Sequence, residues 1–278
     1  MSSDTHARSM RRDACHLTEL IRQRERPNLV RWLAIVTIGI AGSVTGQDTS
    51  GNVAEVDVTW TRADVGIPDE YTSEDCAGRV THACLSRVRS SRKLPVVVFL
   101  HGCSGPNPDA VKNFLRLGYV VVEPNSMARP GRVVDCASDS DKRDIMKLRF
   151  AEATYAAAML KRYGWVDAKK LVLAGFSEGG GAAALYPGEE FSVRIILGWT
   201  CTSPSEWWQG IRGPQHSPVL AMVGTEDPNY KNTLHAGQCA VGGRPHSQSV
   251  MIKGAFHNIL TDWETWPAVK EFLEKTTR

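Results

Sequence analysis

Five short stretches of this chain are mainly apolar and read as strands: Val96–Leu100, Tyr119–Asn125, Lys170–Ser177, Val193–Cys201 and Pro218–Asp227. A strand with one wet face alternates apolar and polar residues, whereas a strand covered on both faces need not. Helical patterns separate the runs. One spans Asp109 to Leu117. A longer one spans Asp141 to Tyr163, with Ile145, Leu148, Ala153, Ala156, Ala157 and Leu160 near helical spacing and Gly164 as its expected C-cap. A Gly- and Ala-rich segment after Ser177 and a closing stretch over 264–276 predict two more helices. Ser247–Gly254 reads as the last strand, and "VAEVDVTWT" (Val53–Thr61) alternates and so predicts a half-exposed first strand. Residues 62–92 are polar and irregular. Buried strands alternating with helices predict an α/β fold: a mostly parallel central sheet, helices on both faces, and no large lid domain.

In such sheets functional groups gather beyond the C-terminal ends of the strands. Those ends read His101-Gly102-Cys103, Pro124-Asn125, Ser177, Trp199-Thr200-Cys201, Glu226-Asp227 and, past the last strand, His257.

Charge narrows the classes of partner. The chain has 278 residues with 33 Lys and Arg against 30 Asp and Glu, but residues 1–46 hold seven of the basic and four of the acidic ones. Residues 47–278 are therefore neutral, which gives no electrostatic case for nucleic acid or an anionic membrane. Residues 1–46 read as a leader and 47–278 as the α/β domain. In the leader Arg22, Arg24, Arg26 and Arg31 precede the apolar run Trp32–Ala41 and the small residues "GSVTGQ". That order describes a signal peptide. Its apolar core falls short of the roughly 20 residues a spanning helix needs. The expectation is a secreted or periplasmic protein, with an uncleaved membrane anchor as the alternative. Apart from Cys15 in the leader there are six cysteines, Cys76, Cys84, Cys103, Cys136, Cys201 and Cys239, an even number that suits disulfides in an exported chain. None of them forms a Cys-x-x-Cys metal or redox pair, and sequence alone leaves fifteen pairings open.

Gly175-Phe176-Ser177-Glu178-Gly179 matches G-x-S-x-G. A buried strand precedes it and a small-residue helix start follows, which is the setting of a nucleophile elbow. The alternative is a glycine-rich turn with an idle serine. A hydroxyl is a poor nucleophile at neutral pH and needs a base. His257 in "GAFHN" stands at the functional edge; His246 precedes its strand and so lies at the other edge, and His101 belongs to a loop discussed below. The base needs a carboxylate to fix its tautomer. Asp227 fits the chain order Ser, Asp, His, with Glu226 as its rival and a helix cap before Pro228 as its plainer role. Glycines in "HGCSG" (His101–Gly105) let the backbone aim N–H groups at a reacting oxygen. The expected oxyanion donors are the backbone N–H groups of Cys103 and Glu178, with Ser104 as an alternative to Cys103, and both side chains are read as incidental.

Together these residues resemble the α/β-hydrolase superfamily over about Val53 to Arg278, and within it the dienelactone hydrolase family. The "HGCSG" loop, "YVVVEPNSMARPGR" after the next strand and the lack of a lid insertion before Asp227 carry the likeness. The resemblance implies a catalytic Ser177, Asp227 and His257, ester hydrolysis through an acyl-enzyme, and no metal or organic cofactor. The founding dienelactone hydrolases have cysteine where this chain has Ser177, which points away from dienelactone and toward ordinary carboxylic esters, small or polymer-borne. The fold so implied suggests the disulfides Cys76–Cys84, Cys103–Cys136 and Cys201–Cys239. Met127, Arg129, Arg132, Trp199, Trp207 and Trp208 either line the cleft, where the arginines would suit an acidic substrate group, or are loop and core residues. A prolyl-oligopeptidase-like peptidase and a noncatalytic binding protein on the same scaffold are the alternative functions. No stable membrane partner is expected unless the leader is retained. The oligomeric state is open.

Overall fold

The computed structural model describes residues 49–136, 142–202, 208–231 and 238–277. The leader, Cys15 and Trp207 lie outside the described residues. The described chain begins with helix α1 (Thr49–Thr61), then strands β1 (Asp64–Ile67), β2 (Gly78–Thr81) and β3 (Leu94–Leu100). Next come α2 (Pro108–Arg116), β4 (Val120–Glu123), α3 (Arg143–Leu160), β5 (Val166–Phe176) and α4 (Glu178–Leu185). Then follow β6 (Val193–Leu197), β7 (Val219–Gly224), the short α5 (Pro228–Lys231), β8 (Gln248–Ile252) and α6 (Thr265–Thr276).

Among the described residues the strands form one sheet in the order β2-β1-β4-β3-β5-β6-β7-β8. From β4 to β8 every neighbouring pair is parallel, while β1 runs antiparallel to both β2 and β4. Two separate apolar layers cover the sheet. Val96, Val98 and Leu100 of β3 join one layer with α1, α3 and α4; Val97 and Phe99 join the other with α2 and α6. This two-sided burial is why the central strands carry no polar alternation. The expected α/β-hydrolase arrangement, a mostly parallel sheet with helices on both faces, is the one observed.

Two expectations fail. Residues 53–61 are helical, not a strand. The apolar residues alternate, but the buried positions are Val56, Thr59, Trp60 and Ala63, which follow helical spacing. Thr59 can be buried because its hydroxyl donates to the Val56 carbonyl at 2.7 Å, so a polar residue completes the stripe and hides its period. Gly164 does not cap α3. The helix ends at Leu160, and Arg162 and Tyr163 donate to the carbonyls of Met159 and Leu160 in a tightened last turn.

Candidate active site

Ser177 is the residue between β5 and α4, at φ 54 and ψ −117. Positive φ in a residue with a Cβ costs on the order of 1–3 kcal/mol and persists only where the surroundings impose it. The surroundings here are tight. Its N–H donates to Leu197 of β6 at 2.9 Å and its carbonyl accepts from Gly181 of α4 at 2.9 Å. A Cβ on Gly175 would stand 2.0 Å from the Gly179 carbonyl oxygen, and one on Gly180 would stand 2.6 Å from that of Leu197. The run of glycines is thus the contact surface between the sheet and a helix that starts directly after the serine.

His257 reaches the same point from the turn after β8. Its Nε2 lies 2.9 Å from Ser177 Oγ and its Nδ1 2.7 Å from Asp227 Oδ2. The Asp227 side chain is sealed from water while that of His257 is 32% exposed. The ring is steadied by Phe176, with centroids 5.1 Å apart. Gly224, at the end of β7, lets this corner close: a Cβ there would stand 2.2 Å from the Ala255 carbonyl oxygen. With Nδ1–H donated to the carboxylate, Nε2 is left as the acceptor for the serine hydroxyl. Glu226 turns outward, half-exposed, and pairs with Lys231.

The 102–105 turn lies against the serine. Gly102 and Gly105 are bridged, and a Cβ on Gly102 would stand 3.4 Å from Ser177 Cβ. Cys103 is in that turn, next to Gly102, and Glu178 is the first residue of α4. The first N–H groups of a helix have no partner within it and point along the positive end of its dipole. Met127 packs on the same turn, 3.5 Å from where a Gly105 Cβ would be.

His101 takes no part in the hydrogen-bonded line. It is fully buried, its Nε2 accepts from the N–H of Ser126 at 3.0 Å, and its Nδ1 donates to the Gly102 carbonyl at 2.6 Å. Burial, then the nearby Arg149 charge, holds its pKa well below the ordinary histidine value. It is a neutral tie between the loops that follow β3 and β4. His246 sits exposed in the turn before β8, at the other end of the strand from His257.

The arginines are committed to carboxylates. Arg132 Nη2 donates to Glu178 Oε1 at 2.6 Å, Arg129 Nε to Glu152 Oε1 at 3.1 Å, and Arg149 Nη1 to Glu152 Oε2 at 2.8 Å. The side chains of these five residues are at most 4% exposed. The carboxylate of Glu178, read from sequence as incidental, is thus an anchored buried charge. Arg149 and Glu152 had no sequence signal beyond their place on an otherwise apolar helix face. Trp199 and Trp208 pack on each other, 5.2 Å between centroids, and over Gly181, as core residues.

Disulfides join Cys76 to Cys84, Cys103 to Cys136 and Cys201 to Cys239, the three expected pairs. Such bonds are typical of proteins in oxidising, extracellular compartments. Among the described residues no helix is long and apolar enough to cross a membrane, and no three His, Cys, Asp or Glu side chains gather as metal ligands.

The model of the dienelactone hydrolase family matches residues 82–241, more than half of the chain. No curated protein matches. Among solved structures, a dienelactone hydrolase-like promiscuous phosphotriesterase from metagenomic libraries is similar at TM-score 0.50 and 17% identity, over 67% of this chain and 88% of that one. A hyperthermophilic esterase from Pyrobaculum calidifontis has TM-score 0.47 and 15% identity, over 82% and 90%. A phospholipase/carboxylesterase from Dyadobacter fermentans has TM-score 0.47 and 15% identity, over 77% and 96%. At these identities the likeness concerns the fold alone.

Proposed function

The chain belongs to the dienelactone hydrolase family, and from that premise we propose that it is an exported serine hydrolase acting on carboxylic esters. The observation that carries the reading is the continuous line Asp227–His257–Ser177, 2.7 and 2.9 Å. Ser177 Oγ attacks the ester carbonyl carbon while His257 Nε2 takes the hydroxyl proton. Asp227, dry and fixed, holds the imidazole in the tautomer this needs and stabilises the imidazolium. The carbonyl electrons move onto oxygen, which the backbone N–H groups of Cys103 and Glu178 receive. The tetrahedral adduct collapses, the alcohol leaves with the proton from His257, and an acyl-enzyme remains. Water, deprotonated by the same nitrogen, attacks the acyl carbon, and the acid departs as Ser177 recovers its proton.

Serine at position 177 favours plain esters over the lactone that gives the family its name, and the substrate is a small or polymer-borne ester. Residues 1–46 serve as the export signal, in keeping with the three disulfides. A noncatalytic scaffold has no use for a strained serine at the end of a hydrogen-bonded line. The test is labelling by a fluorophosphonate together with turnover of short p-nitrophenyl esters. Both are expected in the parent protein and lost in Ser177→Ala. Turnover retained by Ser177→Ala would refute the assignment.

A further inference from the structure

The two groups assigned to the oxyanion belong to different elements, the 102–105 turn and the start of α4. Side chains join these elements in a closed ring. Cys103 is bonded to Cys136. In the same segment as Cys136, Arg132 Nη2 donates to Glu178 Oε1 at 2.6 Å. That oxygen lies 4.0 Å from Arg149 Nε. Arg149 Nη2 in turn donates to the carbonyl of His101 at 2.9 Å, two residues before Cys103. The three charged side chains of the ring are 4%, 2% and 0% exposed for Arg132, Glu178 and Arg149.

Fold stability is a poor account of this ring. Desolvating charges is costly, and a buried ion pair is often no more stabilising than apolar residues of the same volume. The cost is raised here because Glu178 Oε2, Arg132 Nε and Arg149 Nε are buried without a hydrogen-bond partner. The residue after the nucleophile needs no charge for its backbone N–H to serve. What the ring does supply is a fixed separation between two backbone donors. Stabilisation of an oxyanion depends on donors already placed where the charge will develop.

We infer that Arg132 is a positioning residue for ester cleavage: through the Glu178 carboxylate, and together with the Cys103–Cys136 disulfide, it holds the Glu178 and Cys103 N–H groups at the spacing the oxyanion requires. This rests on the serine hydrolase reading above. It predicts a defect confined to states that carry the oxyanion. Such a defect lowers kcat and leaves KM nearly unchanged. It also weakens trifluoromethyl ketones. In their adduct Ser177 Oγ bonds to the carbonyl carbon, the π electrons move onto oxygen, and the serine proton passes to His257 Nε2.

The experiment compares Arg132→Gln and Arg132→Lys with the parent for kcat, KM, trifluoromethyl ketone inhibition and thermal midpoint, with Ser177→Ala as control. The expectation for Arg132→Gln is a loss of on the order of ten- to a hundredfold in kcat. Ketone affinity should fall in parallel, KM should hold within about twofold, and Arg132→Lys should restore much of both. Should Arg132→Gln fail to fold, the double variant Cys103→Ser/Cys136→Ser opens the ring at its other side and is expected to show the same split. Unchanged kcat in the folded variant would overturn the inference. So would a loss that tracks the thermal midpoint, spreads equally to KM and is not relieved by lysine. If Ser177→Ala still turns over ester, the functional reading itself fails, whatever Arg132 does.

Discussion

Gly179 lies so close beneath the end of β3 that a Cβ on it would stand 1.9 Å from the carbonyl oxygen of Leu100. The obstacle is backbone in the middle of the sheet, which cannot move aside as a side chain would. Gly179→Ala is therefore expected to push α4 off the sheet, at a cost of about 3 kcal/mol or more. Gly181→Ala is the contrast. The nearest atoms to its new Cβ would be ring carbons of Trp208 and Trp199, at 3.2 and 3.4 Å. Alanine also gains about 1 kcal/mol of helix propensity over glycine, so this variant should stay within about 1 kcal/mol of the parent. Urea unfolding of the two proteins measures the difference, and equal effects would contradict the packing.

Asp227 and Glu226 are neighbours with opposite surroundings, one sealed and 2.7 Å from His257, the other half-exposed and paired with Lys231. Asp227→Asn keeps the shape of the side chain but removes the charge and permits the wrong imidazole tautomer. It should lower kcat on p-nitrophenyl esters by on the order of a thousandfold or more. Glu226→Gln breaks only a surface pair, worth at most about 1 kcal/mol, and should leave kcat as it is. Steady-state kinetics on both variants checks the choice; a large loss in Glu226→Gln would reverse it.

How much was legible depended on where each residue sits in the sheet. Strands β3, β4, β6, β7 and the second half of β5 could be read because both faces are covered and most residues are apolar, whereas Val166–Lys169 at the start of β5, partly polar and partly exposed, went unread. β1 and β2 could not: each has four residues, and β2 alternates partly buried with exposed positions at the sheet's edge. α1 was misread because Thr59 is buried by bonding its own helix. Ser177, Asp227 and His257 were legible because each follows a strand, and the ends of parallel strands converge on one edge. The ring through Arg132 and Arg149 was not, since its hydrogen bonds join residues 46 and 48 positions apart and no local pattern records them.

Glu123 closes β4 and accepts the Asn107 N–H at 2.8 Å, which anchors the start of α2. Burial, partly offset by that hydrogen bond and reinforced by Asp64, raises its pKa to about 8 from 4.5. The folded protein thus keeps a proton that the unfolded chain releases across this interval. Stability must fall as pH rises from 4.5 toward 8, by at most about 5 kcal/mol from this group. Glu123→Gln retains an acceptor for Asn107 and has nothing to ionise. Its unfolding free energy should exceed the parent's at pH 8, and the difference should shrink as pH falls toward 5. Denaturant titrations at several pH values give the two curves; parallel curves would rule out a buried proton on Glu123.

His101 acts in the opposite direction. Its imidazole is neutral in the fold, because burial and the charge of Arg149 oppose protonation, while in the unfolded chain it titrates near the ordinary value of 6.5. Below that pH the unfolded chain gains a proton that the fold refuses, so stability should fall as pH drops through 6.5 and below. His101→Gln can still accept from the Ser126 N–H, and it carries no titrating group. The slope of unfolding free energy against pH between 7 and 5 should be smaller in this variant than in the parent. Above pH 7 the two slopes should coincide. Because the side chain also ties the 102–105 turn to the loop after β4, the variant is expected to be less stable at neutral pH by about 1–3 kcal/mol. The slope, unlike the offset, reports the proton alone, and equal slopes below pH 6.5 would show that His101 is protonated in the folded protein.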